Sequence, residues 1–299
     1  MKPSDDIDLA NLYAAPFRIA WPDDQTVPFV FASPHSGRIY PQSFVDQSRL
    51  SALTLRRSED AFVDGLFASV VASGAPLIAA RFPRAYCDVN RSPAELDAAM
   101  FDGRLTGAID TTSPRVNAGL GVIPRIVRDG AEIYREKLAA HEADERLARL
   151  YRPYHAALTK LLEMTYARFG VAVLIDCHSM PSAAAVPDVV LGDRYGMAAA
   201  PALVRMAERI FGARGFSVAR NAPYAGGYTT HLHGRPQRGV HALQIEISRA
   251  LYLDEERIEP APRFEAFRAR IADAVSELVG IDRTSLGPSG IRELPLAAE

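Results

Sequence analysis

The run Val171-Ala172-Val173-Leu174-Ile175 is apolar at every position and is followed at once by Asp176-Cys177-His178-Ser179. A strand with one wet face alternates polar and apolar residues. This one does not, so it reads as a central strand covered on both faces, as in a helix-flanked parallel sheet. Its polar end then falls where such sheets bind ligands, beyond the carboxyl ends of the strands. Other segments repeat the arrangement. Phe29-Val30-Phe31-Ala32 empties into Ser33-Pro34-His35-Ser36-Gly37, and Ala85-Tyr86-Cys87-Asp88-Val89 into Asn90-Arg91-Ser92-Pro93. Leu77 to Ala80, Val189 to Leu191, Phe216 to Ala219 and Gly239 to Ser248 add further strands.

Helical patterns separate them. Val63, Leu66, Phe67, Val70 and Val71 follow the helical repeat until Gly74 and Pro76. Ala131 to Leu150 reads as a charged helix, and Pro153 fits the first turn of another that Gly170 closes. Leu203 to Phe211 and a last helix with Phe264, Phe267, Ile271, Val275 and Leu278 in register complete the set. The alternation predicts an α/β three-layer sandwich with a mostly parallel or mixed central sheet. With 299 residues, length permits two domains, but no linker or repeat appears, and a single α/β domain over 1–299 is expected. Two stretches without clear period, 101–128 and 221–236, read as loops over a site, the first as a lid or substrate loop.

Charge narrows the partners. Thirty-four Lys and Arg against 36 Asp and Glu give a formal charge of −2, so no basic field serves nucleic acid. A small molecule recognised at a local site is expected. No apolar run reaches the roughly 18 residues of a membrane helix, and Met1 to Asp8 lacks the basic and apolar regions of a signal peptide, so a cytoplasmic location is expected. The two cysteines, Cys87 and Cys177, lie in apolar runs and read as buried thiols.

His35, Asn90-Arg91 and His178 all follow predicted strands and are candidates for one site. Two imidazoles and a carboxylate make a catalytic zinc set, with the fourth position left to water. His35 and His178 are the natural imidazoles. The helix opening at Glu59-Asp60 can supply the acid, with Asp60 preferred over Glu59 and Asp64. Each also has a plainer role: a histidine after a strand can be a structural donor, and Asp60 can favour a helix dipole. Glu246, within an apolar strand, must face a cation, a polar cleft or a metal-bound water, or else sit in a structural salt bridge. Arg84 and Arg91 can each present a fork to a substrate carboxylate, or pair with Asp88.

Other motifs fail. His141-Glu142-Ala143-Asp144-Glu145 has Glu145 where a metal helix needs its second histidine and reads as a solvated surface. No G-x-S-x-G elbow or phosphate loop exists, and Gly119 to Pro124 lacks the third glycine of a dinucleotide loop. His231 and His233, in the second loop, read as substrate-contacting or solvent-exposed.

Taken in order, Ser33-Pro34-His35-Ser36-Gly37, Glu59-Asp60-x-x-Val63-Asp64, Asp88-Val89-Asn90-Arg91, Asp176-Cys177-His178-Ser179-Met180 and Gly226-Gly227-Tyr228 through His241-Ala242-Leu243-Gln244-Ile245-Glu246-Ile247 resemble the N-formylglutamate amidohydrolase (deformylase) family, over roughly residues 30 to 255. That family is similar in fold and site to zinc carboxypeptidases and aspartoacylase. The resemblance implies a zinc-carboxypeptidase-like or phosphorylase/hydrolase-like fold. It also implies zinc, or another divalent metal, on His35, His178 and an acid of the Glu59-Asp60 region. Asn90-Arg91, with Arg84, Gly227, Tyr228 and His231, would bind an acidic N-acyl amino acid, and Glu246 would handle protons. The expected reaction is hydrolysis of N-formyl-L-glutamate to formate and L-glutamate. The alternatives are a carboxypeptidase-like or aspartoacylase-like amidohydrolase with another acyl substrate, or a non-catalytic carboxylate-binding module. One departure bears on the substrate: an arginine expected near position 231 is His231 here.

Overall fold

The computed structural model describes residues 6–127, 130–183 and 186–287. Among these, seven strands form the central sheet: β1 (Phe17–Ala20), β2 (Phe29–Ser33), β3 (Leu77–Ala80), β4 (Ala172–Met180), β5 (Val189–Gly192), β6 (Val218–Arg220) and β7 (Val240–Ser248). Their spatial order is β1-β3-β2-β4-β7-β5-β6. The four middle strands β3, β2, β4 and β7 are mutually parallel, β1 joins β3 antiparallel, and β5 joins β7 antiparallel while pairing parallel with β6. The sheet is therefore mixed around a parallel centre, and β4 sits in it with all nine residues buried.

Alternation along the strands sorts side chains into two apolar layers. Phe29, Phe31, Val173, Ile175, Leu243 and Ile245 face one layer, where the helices Pro201–Ala213 and Phe264–Val279 pack. Val30, Ala32, Ala172, Leu174 and Ala242 face the other, against the helix Arg152–Phe169. On that second face the strands change character near their carboxyl ends. Leu174 and Ala242 give way to Asp176, His178, Gln244 and Glu246, with Asp176 opposite Gln244 and His178 opposite Glu246 in register. One face thus begins as core and ends as a polar floor.

Several expected elements differ. Residues 85–89 form no strand; they run as turns, with the Asp88 amide donating to the Val122 carbonyl. The helix expected after Glu59 is broken into Val63–Leu66 and a 3-10 turn at Ala68–Val70, entered through Phe62 at φ 63°. Residues 131–137 are not helical. The helix starts at Ala140 and continues to Phe169 through a π turn at Leu147–Tyr151, just before Pro153, whose missing amide hydrogen interrupts the regular ladder. Around the failed metal motif His141 and Glu145 are exposed, but Arg146 is fully buried over the Tyr86 ring and bonded to Glu142, so that helix is not wholly solvated. Within the first expected loop Val122, Ile123 and Val127 are buried, making it a packed wall; Arg128 lies outside the described residues. The second loop contains a short helix, Tyr228–His233. Cys87 and Cys177 are buried free thiols, and burial pushes both up. Among the described residues no helix is long and apolar enough to cross a membrane.

Candidate active site

A cavity of about 580 Å³ opens over the carboxyl ends of β2, β4 and β7. His35 enters it two residues beyond β2, and His178 from the last turn of pleat in β4. Asp60 comes from the turn ahead of Val63, not from a helix. That turn is stitched to the His35 segment, since the Asp60 amide donates to the His35 carbonyl at 3.0 Å and the Ser36 hydroxyl donates to the Asp60 carbonyl at 3.1 Å. Gly37 allows the approach: a Cβ there would lie 2.0 Å from the Phe82 carbonyl oxygen.

The three side chains converge on one oxygen. Asp60 Oδ2 lies 3.3 Å from His35 Nδ1 and 3.0 Å from His178 Nδ1, and the rings are 4.8 Å apart. Tetrahedral zinc with arms of about 2.0 to 2.1 Å spaces its ligands roughly 3.3 Å apart, so these donors suit a metal ion. The far nitrogens carry the usual orienting partners of metal-bound histidines. His35 Nε2 is 2.8 Å from Asp88 Oδ1, and His178 Nε2 lies 3.0 Å from Asp176 Oδ2; the amide nitrogen of Asn90, a donor and so not a partner of that kind, is 3.2 Å from the same nitrogen. Asp60, Asp176 and Glu246 create a field that favours a cation, and that field outweighs burial to push His178 well above its ordinary value. Burial opposes ionisation of Asp60, but hydrogen bonds from both imidazoles hold its carboxyl well below the usual range. Of the three acids weighed from sequence, Asp60 alone joins the histidines. Glu59 is taken by Tyr40 and Arg56, and Asp64 by Arg18.

Glu246 lines the same cavity on β7, its Oε1 accepting from Gln244 Nε2 at 2.8 Å. Burial raises its carboxyl to about 7; Asp60 adds to this, while His178, Arg84 and Arg249 oppose it. Gln244 in turn accepts from the Gly227 amide at 2.9 Å, tying the glycine loop to the proton-handling position. Gly227 is held tightly there, because a Cβ would lie 2.3 Å from the Asn90 amide.

Arg84 and Arg91 stand at the cavity wall. Arg84 Nη2 bonds Asp88 Oδ2 at 2.8 Å, the plainer pairing foreseen from sequence. Arg91 donates to the Leu120 and Asn90 carbonyls and lies 4.0 Å from Asp88. Burial and the nearby Arg84 and Arg115 pull it below its ordinary value, a positive excess that suits an anion. Asn90 has both ends of its amide engaged, Nδ2 toward His178 and Oδ1 accepting from the Thr229 amide at 2.8 Å. Tyr228 and His231 lie outside the cavity lining: Tyr228 packs beside His155, and His231 is exposed.

Three residues escaped sequence reading as site residues. Arg249 grips the second oxygen of Asp60 at 3.0 Å while also donating to Ser179 Oγ and the Arg57 carbonyl. Its only signal was its position directly after a strand. Asp176, behind His178, carried the same signal after the run Val171 to Ile175; Asp88, behind His35, stood inside an expected strand that does not form.

The model of the N-formylglutamate amidohydrolase family matches residues 27–253. The chain belongs to this family. A Pseudomonas aeruginosa protein named N-formylglutamate deformylase is 30% identical over 263 residues, covering 85% of this chain and 90% of its own. One from Pseudomonas putida is 28% identical over 77% of this chain and 83% of its own. The crystal structure of N-formylglutamate amidohydrolase from Ralstonia eutropha JMP134 superposes with a TM-score of 0.82 at 37% identity, covering 88% of this chain and 96% of that one. A gene product of Agrobacterium tumefaciens, 20% identical with a TM-score of 0.65 over 90% of this chain and 94% of its own, shares the fold. The two Pseudomonas proteins and the Ralstonia eutropha one are hydrolases of an amide bond by name, and the site has the groups such a reaction uses.

Proposed function

We propose that this chain is a zinc-dependent enzyme that hydrolyses N-formyl-L-glutamate to formate and L-glutamate. The observation that carries the reading is the meeting of His35, Asp60 and His178 at one point, with a carboxylate behind each histidine and arginines on the adjoining wall. A zinc ion held by these three would polarise an amide carbonyl and acidify a water molecule. Glu246 takes the proton of the attacking water and passes it to the leaving amine, a role suited to a carboxyl poised near neutrality. Arg91, with Arg84, receives the carboxylates of the amino-acid half. Because formyl is so small, that half must supply most of the binding energy and the orientation. Asn90 and Gly227 line the cavity beside these arginines and hold its floor and wall in register.

The test is hydrolysis of N-formyl, N-acetyl and N-carbamoyl derivatives of glutamate and aspartate, with metal content measured on the same sample. Formate release from N-formylglutamate, abolished by chelation and restored by zinc, is the expected result. Preference for N-acetyl or N-carbamoyl substrates would overturn the formyl assignment. Protein that takes up no stoichiometric metal and hydrolyses none of the panel would overturn the enzyme reading.

A further inference from the structure

Beneath His178, between β4, the helix Arg152–Phe169 and the helix Tyr228–His233, lies a group of buried polar side chains of which only Asp176 stands behind a histidine of the metal set. Asp176, Tyr154, His155, Thr229 and His233 are each more than nine-tenths buried. Among the described residues the Tyr154 hydroxyl, His155 Nδ1, the Thr229 hydroxyl, His233 Nε2 and both Asp176 oxygens have no hydrogen-bond partner of good geometry, even though Asp176 Oδ2 lies 3.0 Å from His178 Nε2. They belong to one neighbourhood. The His155 ring stacks 6.2 Å from His233 and meets Tyr154 edge-on at 5.8 Å, and the Asp176 charge is felt by Tyr154, His155 and His233 alike. Buried polar groups are almost always paired, and leaving so many unpaired together is unfavourable.

Their chemistry is complementary. The Nε2–H of His155 donates to the Val89 carbonyl at 2.8 Å, which leaves Nδ1 as an acceptor; burial keeps this imidazole and that of His233 neutral. Asp176 is an acceptor as well. Tyr154 and Thr229 offer hydroxyl donors. A water molecule, giving two hydrogen bonds and receiving up to two, connects these sets. Two imidazoles and a carboxylate would also interest a metal ion, but among the described residues only His35, Asp60 and His178 bring ligand atoms within metal-binding distance of one another.

We propose that this space is a binding site for ordered water, and that Asp176, held by that water, is the positioning residue that aligns His178 for the metal. An imidazole that ligates through Nδ1 carries its proton on Nε2, and Asp176 is the acceptor for that proton. Asn90, a donor on the same nitrogen, cannot serve. The water fixes the carboxylate so that ring orientation and tautomer are set before the metal arrives. This rests on the metal reading of the site above.

High-resolution crystal structures of the metal-free and zinc-loaded protein test the water directly. Density for water within hydrogen-bond distance of Asp176 and His155 Nδ1 is expected in both; a dry space, or a cation there, overturns the proposal. Asp176→Asn should weaken zinc binding about 10- to 100-fold. Tyr154→Phe, which keeps the ring, should weaken it about two- to tenfold, as loss of one bridging bond does, with an unchanged circular dichroism spectrum. In both variants the Nε2–H resonance of His178, seen by ¹⁵N-imidazole NMR, should move. Wild-type protein that binds zinc while both variants keep its affinity and resonance overturns the positioning role alone. Wild-type protein that takes up no zinc overturns the metal reading, and the metal-free density and resonance still decide the water site.

Discussion

At the scale of single residues, the site is built from pairs in which one group fixes another. Asp60 has one oxygen for the two imidazoles and the other for Arg249, so the arginine decides which way the carboxylate faces. Arg249→Gln is expected to lower zinc affinity about 10- to 100-fold, read by competition with a chelator; unchanged affinity would show that Asp60 needs no such hold. Glu246 makes a contrasting case. Its bond to Gln244 survives replacement by an amide, whereas proton transfer does not. Glu246→Gln should retain metal and fold while turnover falls about 10²- to 10⁴-fold, measured by formate release at saturating substrate. His35, His178 and Glu246 could be picked out in the sequence because ionisable groups interrupt or end apolar strands. Arg249 could not, since an arginine after a strand resembles any surface cation until its partner is known.

At the scale of elements, the glycine loop and the carboxyl edge of the sheet act together. The Gly227 amide bonds Gln244, Gln244 bonds Glu246, and Asn90 fills the space where a Gly227 side chain would stand. Gly227→Ala should therefore push Asn90 from His178. A loss of about 1–3 kcal/mol is expected in denaturant unfolding, as for other overpacked sites, together with weaker metal binding in the same variant. If stability and metal binding both match the parent, the loop is looser than this packing implies. Long apolar strands and amphipathic helices were legible at this scale, because their periods reflect burial on one face or two. The segment 85–89 misled, since its apolar residues Ala85, Tyr86 and Cys87 are buried by turns packed against the Val122 wall instead of by sheet pairing. The Ala131 start of the charged helix misled for the opposite reason: helical composition continued upstream, while residues 138 and 139 pair with Phe101–Asp102.

For the whole molecule, the buried polar layer sets an acid limit. Burial depresses His233 to about 4 and His155 below its ordinary value; His155 and Arg235 lower His233 further, and Asp176 pulls both the other way. In the unfolded chain both titrate near 6.5. Below that pH the unfolded state binds protons that the folded state refuses, so these two histidines withdraw stability as pH drops from about 6.5 toward 4, by about 3 kcal/mol for His233 alone, while Glu246, raised to about 7, is protonated in the folded state over part of the same window and acts in the opposite direction. This window lies above the range in which Asp60 and Asp88, held low, would be protonated. Urea midpoints between pH 7 and 4.5 should fall less in His233→Gln than in the parent; parallel declines would assign the acid loss elsewhere. The same scale separates the two sources of information. Sequence by itself determined the α/β class, the central strand, the strand-end histidines and the family, because burial and strand-end position leave a periodic trace along the chain. Only tertiary structure decided that Asp60 rather than Glu59 or Asp64 meets the histidines, that Arg249 holds Asp60 while two carboxylates stand behind the histidines, and that Tyr228 and His231 lie outside the cavity lining. Those choices depend on distances between segments far apart in sequence, set by strand register and by close backbone approach at Gly37 and Gly227, for which no local pattern exists.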